Sequence, residues 1–308
     1  MPQFSIIIPL YNKEKFIENT LKSVLQQSFT DYEVLIVNDG STDASEAKIL
    51  AFNDARIQYF YKENEGVSEA RNYGIENAKS EYITFLDADD YWYPNFLEEM
   101  LLNIGKFPEQ KVFAGAIEIE NPKNVIPSSY SIPKSAESIV VNYFEASYQE
   151  GVIFTSCAAF HKSVFETIGN FDPKIKSGQD TDLWIRIGLV YPVVFSFKIL
   201  TRYIYDPNSL SKKKSLLNQK LDFSKFTEAE KNNAALKKFL DLNRYSLAIK
   251  SKLINDKANF DKFTTDINFS NLSIKKRILL HLPGFVLHFL LQVNLLFVQL
   301  GWSKSVFK

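Results

Sequence analysis

A chain of 308 residues that is 45% hydrophobic has room for one large domain or two small ones and excludes a disordered protein. A single cysteine, Cys157, excludes an internal disulfide framework and fits a reducing compartment; within the apolar run Val152 to Phe160 it reads as a buried structural thiol. The formal charge of zero hides an acidic front, with 18 Lys and Arg against 29 Asp and Glu in residues 1–210, and a basic back, with 18 against 7 in residues 211–308. That asymmetry argues against nucleic acid as the front half's ligand, suits a metal there, and lets the back half face an anionic membrane or partner.

Phe4 to Pro9 reads as a buried strand rather than a secretory leader. Ile17, Leu21, Val24 and Leu25 then share one helix face within Lys13 to Ser28. Glu33 to Val37 is a second strand, running into a turn at Asn38 to Asp43 that caps a helix over Ala44 to Phe52. Ile57 to Tyr61 is a third strand, and the loop Asn64 to Ser68 leads into a helix over Glu69 to Ala78. Strands alternating with helices of this length predict βαβ units and a mostly parallel sheet flanked by helices, an α/β fold.

Tyr82 to Leu86 is the next strand, and it ends in Asp87, Asp89 and Asp90. If the strand persists, Asp87 and Asp89 point the same way. Two carboxylates at the carboxyl end of a strand suit a hard divalent cation, Mg²⁺ or Mn²⁺, and this edge of an α/β sheet is where ligands bind. The plainer reading is an acidic turn ahead of the helix that Pro94 starts. A helix over Asn95 to Ile104 stopped by Gly105, a strand over Val112 to Glu120, an irregular stretch 121–150, a strand over Val152 to Phe160, a short helix from Ser163 to Ile168, a helical run from Leu183 to Leu189 and one or two extended segments over Val193 to Tyr205 complete the front half.

Residues 211–274 read as a basic, mostly helical extension. In residues 275–308 the polar residues His281, His288, Gln292, Gln299 and Ser303 are spaced 7, 4, 7 and 4 apart, so they form one narrow stripe on an otherwise apolar helix. With Lys275, Lys276 and Arg277 in front, this reads as an in-plane membrane anchor; a helix packed on the protein and a transmembrane span are the alternatives.

Four stretches, SIIIPLYNKEKFIENTLKSVLQQ (5–27), EVLIVNDGSTD (33–43), NEGVSEARNYGIENAKSEYITFLDADD (64–90) and SGQDTDLWIRIG (177–188), together resemble the inverting glycosyltransferases of family 2, of GT-A fold. The resemblance covers roughly residues 3–210. It implies a GT-A domain over 1–210, with a nucleotide-binding half at 1–94 and an acceptor half at 95–210. Pro9 and Tyr11 would contact the nucleotide, with Tyr11 stacked on the base. Asp39 would accept a base N–H, which fits uracil or thymine. Arg71 would touch base or phosphates. Asp87 would hold the nucleotide and its metal, and Asp89 would ligate Mg²⁺ or Mn²⁺. Asp180 would be the general base, with Asp182 the alternative, and Trp184 would line the acceptor side. The donor would be a nucleotide sugar and the acceptor a glycan or lipid-linked glycan at the inner face of a membrane, in a cytoplasmic, peripheral protein that adds one sugar per encounter to a surface polysaccharide.

The sequence departs from the family pattern at Gln179, where a Glu is usual, and at Asp206, where a His is usual; a third metal ligand, if present, would be a carboxylate. Two rival readings are a nucleotide-sugar pyrophosphorylase, disfavoured because Leu10-Tyr11-Asn12-Lys13 lacks a glycine-rich loop, and a non-catalytic nucleotide-sugar-binding module.

Overall fold

The computed structural model describes residues 1–120, 124–204, 206 and 221–299. The first residues of the expected basic helical extension, 211–220, lie outside the described residues. Two units emerge: residues 1–146 with 150–221, and residues 147–149 with 222 onward.

In the first unit, β1 (Phe4–Leu10), α1 (Ile17–Leu25), β2 (Tyr32–Asp39), α2 (Ser45–Leu50), β3 (Ile57–Lys62), α3 (Val67–Asn77) and β4 (Tyr82–Phe85) alternate as the periodicity predicts. β5 (Tyr91–Trp92), α4 (Phe96–Lys106), β6 (Val112–Glu120), β7 (Val125–Pro127), β8 (Ile139–Val141), α5 (Tyr143–Ala146), β9 (Ala158–His161), α6 (Ser163–Ile168), α7 (Gln179–Val190) and β10 (Val193–Ile204) follow. One sheet runs β3-β2-β1-β4-β9-β6-β10-β5. Its first four strands are parallel, β4–β9 and β9–β6 are antiparallel, and β6–β10 is parallel again. β1 sits between β2 and β4, with Phe4 opposite Tyr32 and Tyr82, and is buried along its whole length. A strand covered on both faces needs a continuous apolar run, which FSIIIPL supplies.

Three local differences from the periodicity shape the site. β4 stops at Phe85; Leu86 N–H still donates to Ile7 O (3.0 Å), but Asp90 N–H then turns back to Asp87 O (2.9 Å). The carboxylates therefore stand on a turn, not on a continued strand. The expected strand at Val152 begins only at Ala158, because residues 155–157 form a 3₁₀ turn. Trp92 Nε1 and Thr201 Oγ1 both donate to Ser156 O and hold that turn (2.5 and 2.9 Å). Within 121–150, β7 and β8 pair antiparallel with β6 and β10; three residues are too few to show a period.

Trp184 is a further correction. It is 4% exposed and stacks on Phe160 (5.2 Å, 5°), beside Phe171. The face of α7 that carries it is the apolar one, so it serves the core rather than an acceptor. Cys157 is fully buried, and burial pushes its thiol up to about 12.

The second unit contains α8 (Thr227–Lys231), α9 (Ala234–Leu253), α10 (Lys257–Thr265), α11 (Ile274–His281) and α12 (Gly284–Gln299). Arg244, buried on α9, donates to both oxygens of Glu230 (2.7 and 2.9 Å) and meets Asp241. Pro283 separates α11 from α12, as a proline inside an apolar helical run does. His288 Nε2 bonds to Leu253 O (2.6 Å), so this member of the polar stripe serves a neighbouring helix end. Ile274, Ile278, Phe285 and Phe289 face solvent, while Leu280 and Leu287 are buried. No helix among the described residues is long and apolar enough to cross a membrane; Ser303 lies outside them.

Candidate active site

The carboxyl edge of the parallel strands is tied together by its loops. Asn12, at φ 51°, accepts the Thr42 N–H at Oδ1 (2.8 Å), and its own N–H donates to Ser41 Oγ (3.1 Å). Lys13 N–H donates to Ser45 Oγ (2.8 Å) and Glu14 N–H to Asp43 Oδ2 (3.0 Å). The loop after β1 is thereby laced to the loop after β2. It presents Tyr11, 45% exposed, on a fixed backbone at the edge, where an aromatic face is available for a nucleobase to stack on. Pro9 is the penultimate residue of β1, opposite Val37.

Asp39 ends β2 and is buried. Its Oδ1 accepts from Lys62 Nζ and Glu65 N–H (both 3.0 Å), and its Oδ2 from Gly66 N–H (2.8 Å). Three of about four acceptor positions are filled, so the carboxylate shapes the loop before α3 and keeps one position for a further donor. Gly66, at φ 103°, adopts a backbone that side-chain-bearing residues avoid.

Arg71 projects from α3 over the Phe171 ring (5.1 Å) and donates from Nη2 to Asp87 Oδ1 (2.6 Å). Its Nε and Nη1 are buried and have no partner among the described residues. Asp87 N–H donates to Ser156 Oγ (3.1 Å), and Ser156 Oγ donates to Asp90 Oδ2 (2.5 Å). Asp90 is fully buried; its Oδ1 accepts the Ile204 N–H (3.2 Å) at the end of β10. Thr20 Oγ1 meets the carbonyls of Ala88 and Asp90 (3.0 and 2.8 Å). Beneath the acidic turn lies a buried polar girder joining it to α1, to the 3₁₀ turn and to β10. Burial, followed by the charges of Asp87 and Asp89, holds the Asp90 carboxyl well above its ordinary range.

Asp89 points the other way, to Lys13 Nζ (2.6 Å), which also reaches Asp206 Oδ2 (2.8 Å). Burial raises the Asp89 carboxyl and the Lys13 charge opposes the rise, with Asp87 adding to it. Burial works against the Lys13 ammonium, yet Asp89 and Asp206 hold its pKa above the usual lysine value.

Asp180 lies in the first turn of α7, partly exposed, with Oδ1 accepting the Thr181 N–H (2.7 Å). The helix start is Gly178, in the left-handed region at φ 86°. Asp182 is fully buried and accepts from Arg186 Nε (2.9 Å), whose other nitrogens bind the carbonyls of Ile168, Gly169 and Asn170. Of the two aspartates, Asp180 is the one whose carboxylate a hydroxyl can reach. Gln179 Oε1 is buried without a partner among the described residues.

The donor set suits a hard divalent cation: it is all oxygen, and Asp89 and Asp206 already share one cation, the Lys13 ammonium. Among the described residues no three His, Cys, Asp or Glu side chains converge into a ready-made cage. Mg²⁺ binds through one or two carboxylates and completes its shell with water and phosphate oxygens, so the fit stands. Sequence reasoning did not find Lys13 or Ser156. Lys13 lies inside the YNKEKF motif, but its partners are 76 and 193 residues away, a separation no periodicity reports.

A mixed sheet whose first four strands are parallel, with an acidic turn at their carboxyl edge, is the arrangement of a GT-A fold. The chain belongs to glycosyl transferase family 2, whose profile matches residues 5–169. An uncharacterised glycosyltransferase of Rickettsia typhi is 34% identical over 208 residues, 65% of this chain and 63% of that protein. The uncharacterised glycosyltransferase EpsJ of Bacillus subtilis is 47% identical over 93 residues, 30% of this chain and 27% of EpsJ. Across the Rickettsia relatives the matched part spans between 36% and 63% of their length. Among solved structures, TarS of S. aureus superposes with a TM-score of 0.63 at 22% identity over 91% of this chain and 52% of TarS. Its residues 1–349 in complex with UDP-GlcNAc give 0.58 at 18% identity, covering 85% of this chain and 90% of that one.

Proposed function

We propose that the protein moves one sugar from a UDP-linked donor onto a hydroxyl of a glycan or lipid-linked glycan, with inversion, in the cytoplasm. The observation that carries this is the gathering of Tyr11, Asp39, Arg71, Asp87 and Asp89 along one sheet edge, with Asp180 reachable at the start of α7. Tyr11 offers a stacking face, and Asp39 keeps an acceptor position for an imide N–H, which uracil supplies. TarS, the structural neighbour, is described in complex with UDP-GlcNAc, and this supports a UDP-linked donor.

Breaking the sugar–phosphate bond leaves a diphosphate with growing negative charge. Mg²⁺ or Mn²⁺, held through Asp89 with Asp87 and Asp206 nearby, would neutralise that charge. Arg71 orients Asp87. A sugar hydroxyl is a weak nucleophile, and Asp180 takes its proton as it attacks. A base on the face opposite the leaving group gives direct displacement, hence inversion.

A panel of nucleotide sugars incubated with Mn²⁺ or Mg²⁺ tests the reading without a known acceptor, since transferases leak donor to water. Release of UDP from one UDP-sugar is expected. Binding of UDP with no turnover of any donor, even with glycan acceptors added, would replace the reading with a non-catalytic binding module.

The second unit supports docking to an anionic membrane surface. Phe285 and Phe289 are 76% and 67% exposed, on the helix that follows the one carrying Lys275, Lys276 and Arg277. Each phenylalanine fully buried in lipid contributes about 1.5–3 kcal/mol. Phe285→Ser with Phe289→Ser should therefore lower co-sedimentation with phosphatidylglycerol vesicles by about tenfold or more. Equal binding by the double variant would refute a lipid role for this face.

A further inference from the structure

Three ionised side chains from distant parts of the first unit meet at the mouth of the site: Lys13 after β1, Asp89 on the turn after β4, and Asp206 just past β10. Lys13 Nζ lies 2.6 Å from Asp89 Oδ2 and 2.8 Å from Asp206 Oδ2. None of the three is free to drift. Lys13 is anchored through its N–H to Ser45 Oγ, and its ammonium rides over Phe16, 5.6 Å from the ring centroid. Asp89 stands on the girdered turn. Asp206 follows Ile204, whose N–H is held by Asp90.

Two largely buried carboxylates side by side require a counter-charge, and here one ammonium supplies it. A divalent cation on Asp89 would compete with Lys13 for that carboxylate's charge, and the two cations would repel each other at that range. The ammonium must therefore move when the metal binds. The donor's diphosphate is a better partner than either carboxylate alone, because it carries several charged oxygens and arrives at the same edge.

Resting on the reading of Asp89 as the cation ligand, we propose that Lys13 is a displaceable resident cation. It occupies Asp89 and Asp206 in the nucleotide-free protein. When the nucleotide binds, the ammonium passes to the diphosphate oxygens and frees Asp89 for the divalent ion. Metal and donor then bind as a coupled pair, each tightening the other by the same factor, as linkage requires. Lys13 is a positioning residue in this scheme: it sets the order and cooperativity of assembly.

The test uses the full chain, with Mn²⁺ binding followed by electron paramagnetic resonance and UDP binding by calorimetry. In the parent protein, UDP should tighten Mn²⁺ binding by about tenfold or more, within the 5–150-fold range usual for coupled sites. In Lys13→Met, Mn²⁺ without nucleotide should bind about tenfold tighter and UDP in EDTA about fivefold weaker, and the mutual enhancement should fall to about twofold. Lys13→Gln, with a melting profile matching the parent, should move both constants in the same directions. Lys15→Met, at an exposed lysine two residues on, should change neither, which separates a specific exchange from a general change of field.

Unchanged or weaker Mn²⁺ binding in the nucleotide-free Lys13 variants, or undiminished cooperativity, would overturn the inference alone. A parent protein that binds neither Mn²⁺ nor UDP would overturn it together with the donor and metal reading.

Discussion

Asp180→Asn is expected to lower turnover of the preferred nucleotide sugar by about 10²–10⁴-fold, the usual contribution of a positioned general base, while UDP affinity stays unchanged. Asparagine keeps the shape of aspartate and retains an oxygen to accept the Thr181 N–H that Asp180 Oδ1 now receives, so the start of α7 survives and only basicity is lost. The measurement is initial-rate kinetics with saturating acceptor, or donor hydrolysis where no acceptor is known, alongside calorimetric UDP titration. Asp182→Asn serves as the contrast. Asp182 is fully buried against Arg186, which fastens α7 to the carbonyls of residues 168–170. Its loss should lower the melting temperature and reduce activity only in proportion to folded protein. If Asp180→Asn keeps parental turnover, or if Asp182→Asn is folded but inactive, the base has been misassigned.

Asp89→Ala should reduce metal-dependent UDP release to the background of protein-free buffer. Metal stabilisation of a leaving diphosphate contributes several kcal/mol, which corresponds to a loss of about 10³-fold or more. The fold should persist, because Asp90 rather than Asp89 carries the buried girder to Ser156 and Ile204. Lys13 keeps Asp206 as its partner. A far-UV spectrum and melting curve like the parent's are part of the expectation. Undiminished release stimulated by Mn²⁺ would show that the cation sits elsewhere, and full release in EDTA would show that no divalent ion is needed.

Adjacent carboxylates in one sequence motif thus do separate work. Asp87 faces Arg71, Asp89 faces Lys13, and Asp90 turns inward. The DADD segment reads in sequence as one acidic cluster; in three dimensions a tight turn, closed by Asp90 N–H on Asp87 O, fans its side chains apart. The same separation distinguishes Asp180 from Asp182 on α7. Two residues along a helix differ by about 200° around its axis, so one carboxylate stays at the surface while the other enters the core.

What the sequence determined by itself is local and periodic. The runs FSIIIP, EVLIV and YITFL carry their strand character in their β-branched, aromatic and aliphatic residues, and the alternation of such runs with helical spacing predicted a parallel sheet. Motif order and spacing were enough to mark the family and the residues at the sheet edge. Three-residue strands, the 3₁₀ turn at Ser156 and the burial of Trp184 were not legible, because each depends on partners supplied by other strands. Tertiary structure alone decided which charges meet: Lys13 finds Asp89 and Asp206 only after β1, β4 and β10 have brought their ends to one edge. Periodicity reports the few residues next to a position, whereas the electrostatics of a site are set by whatever the folded chain carries there from any distance along it.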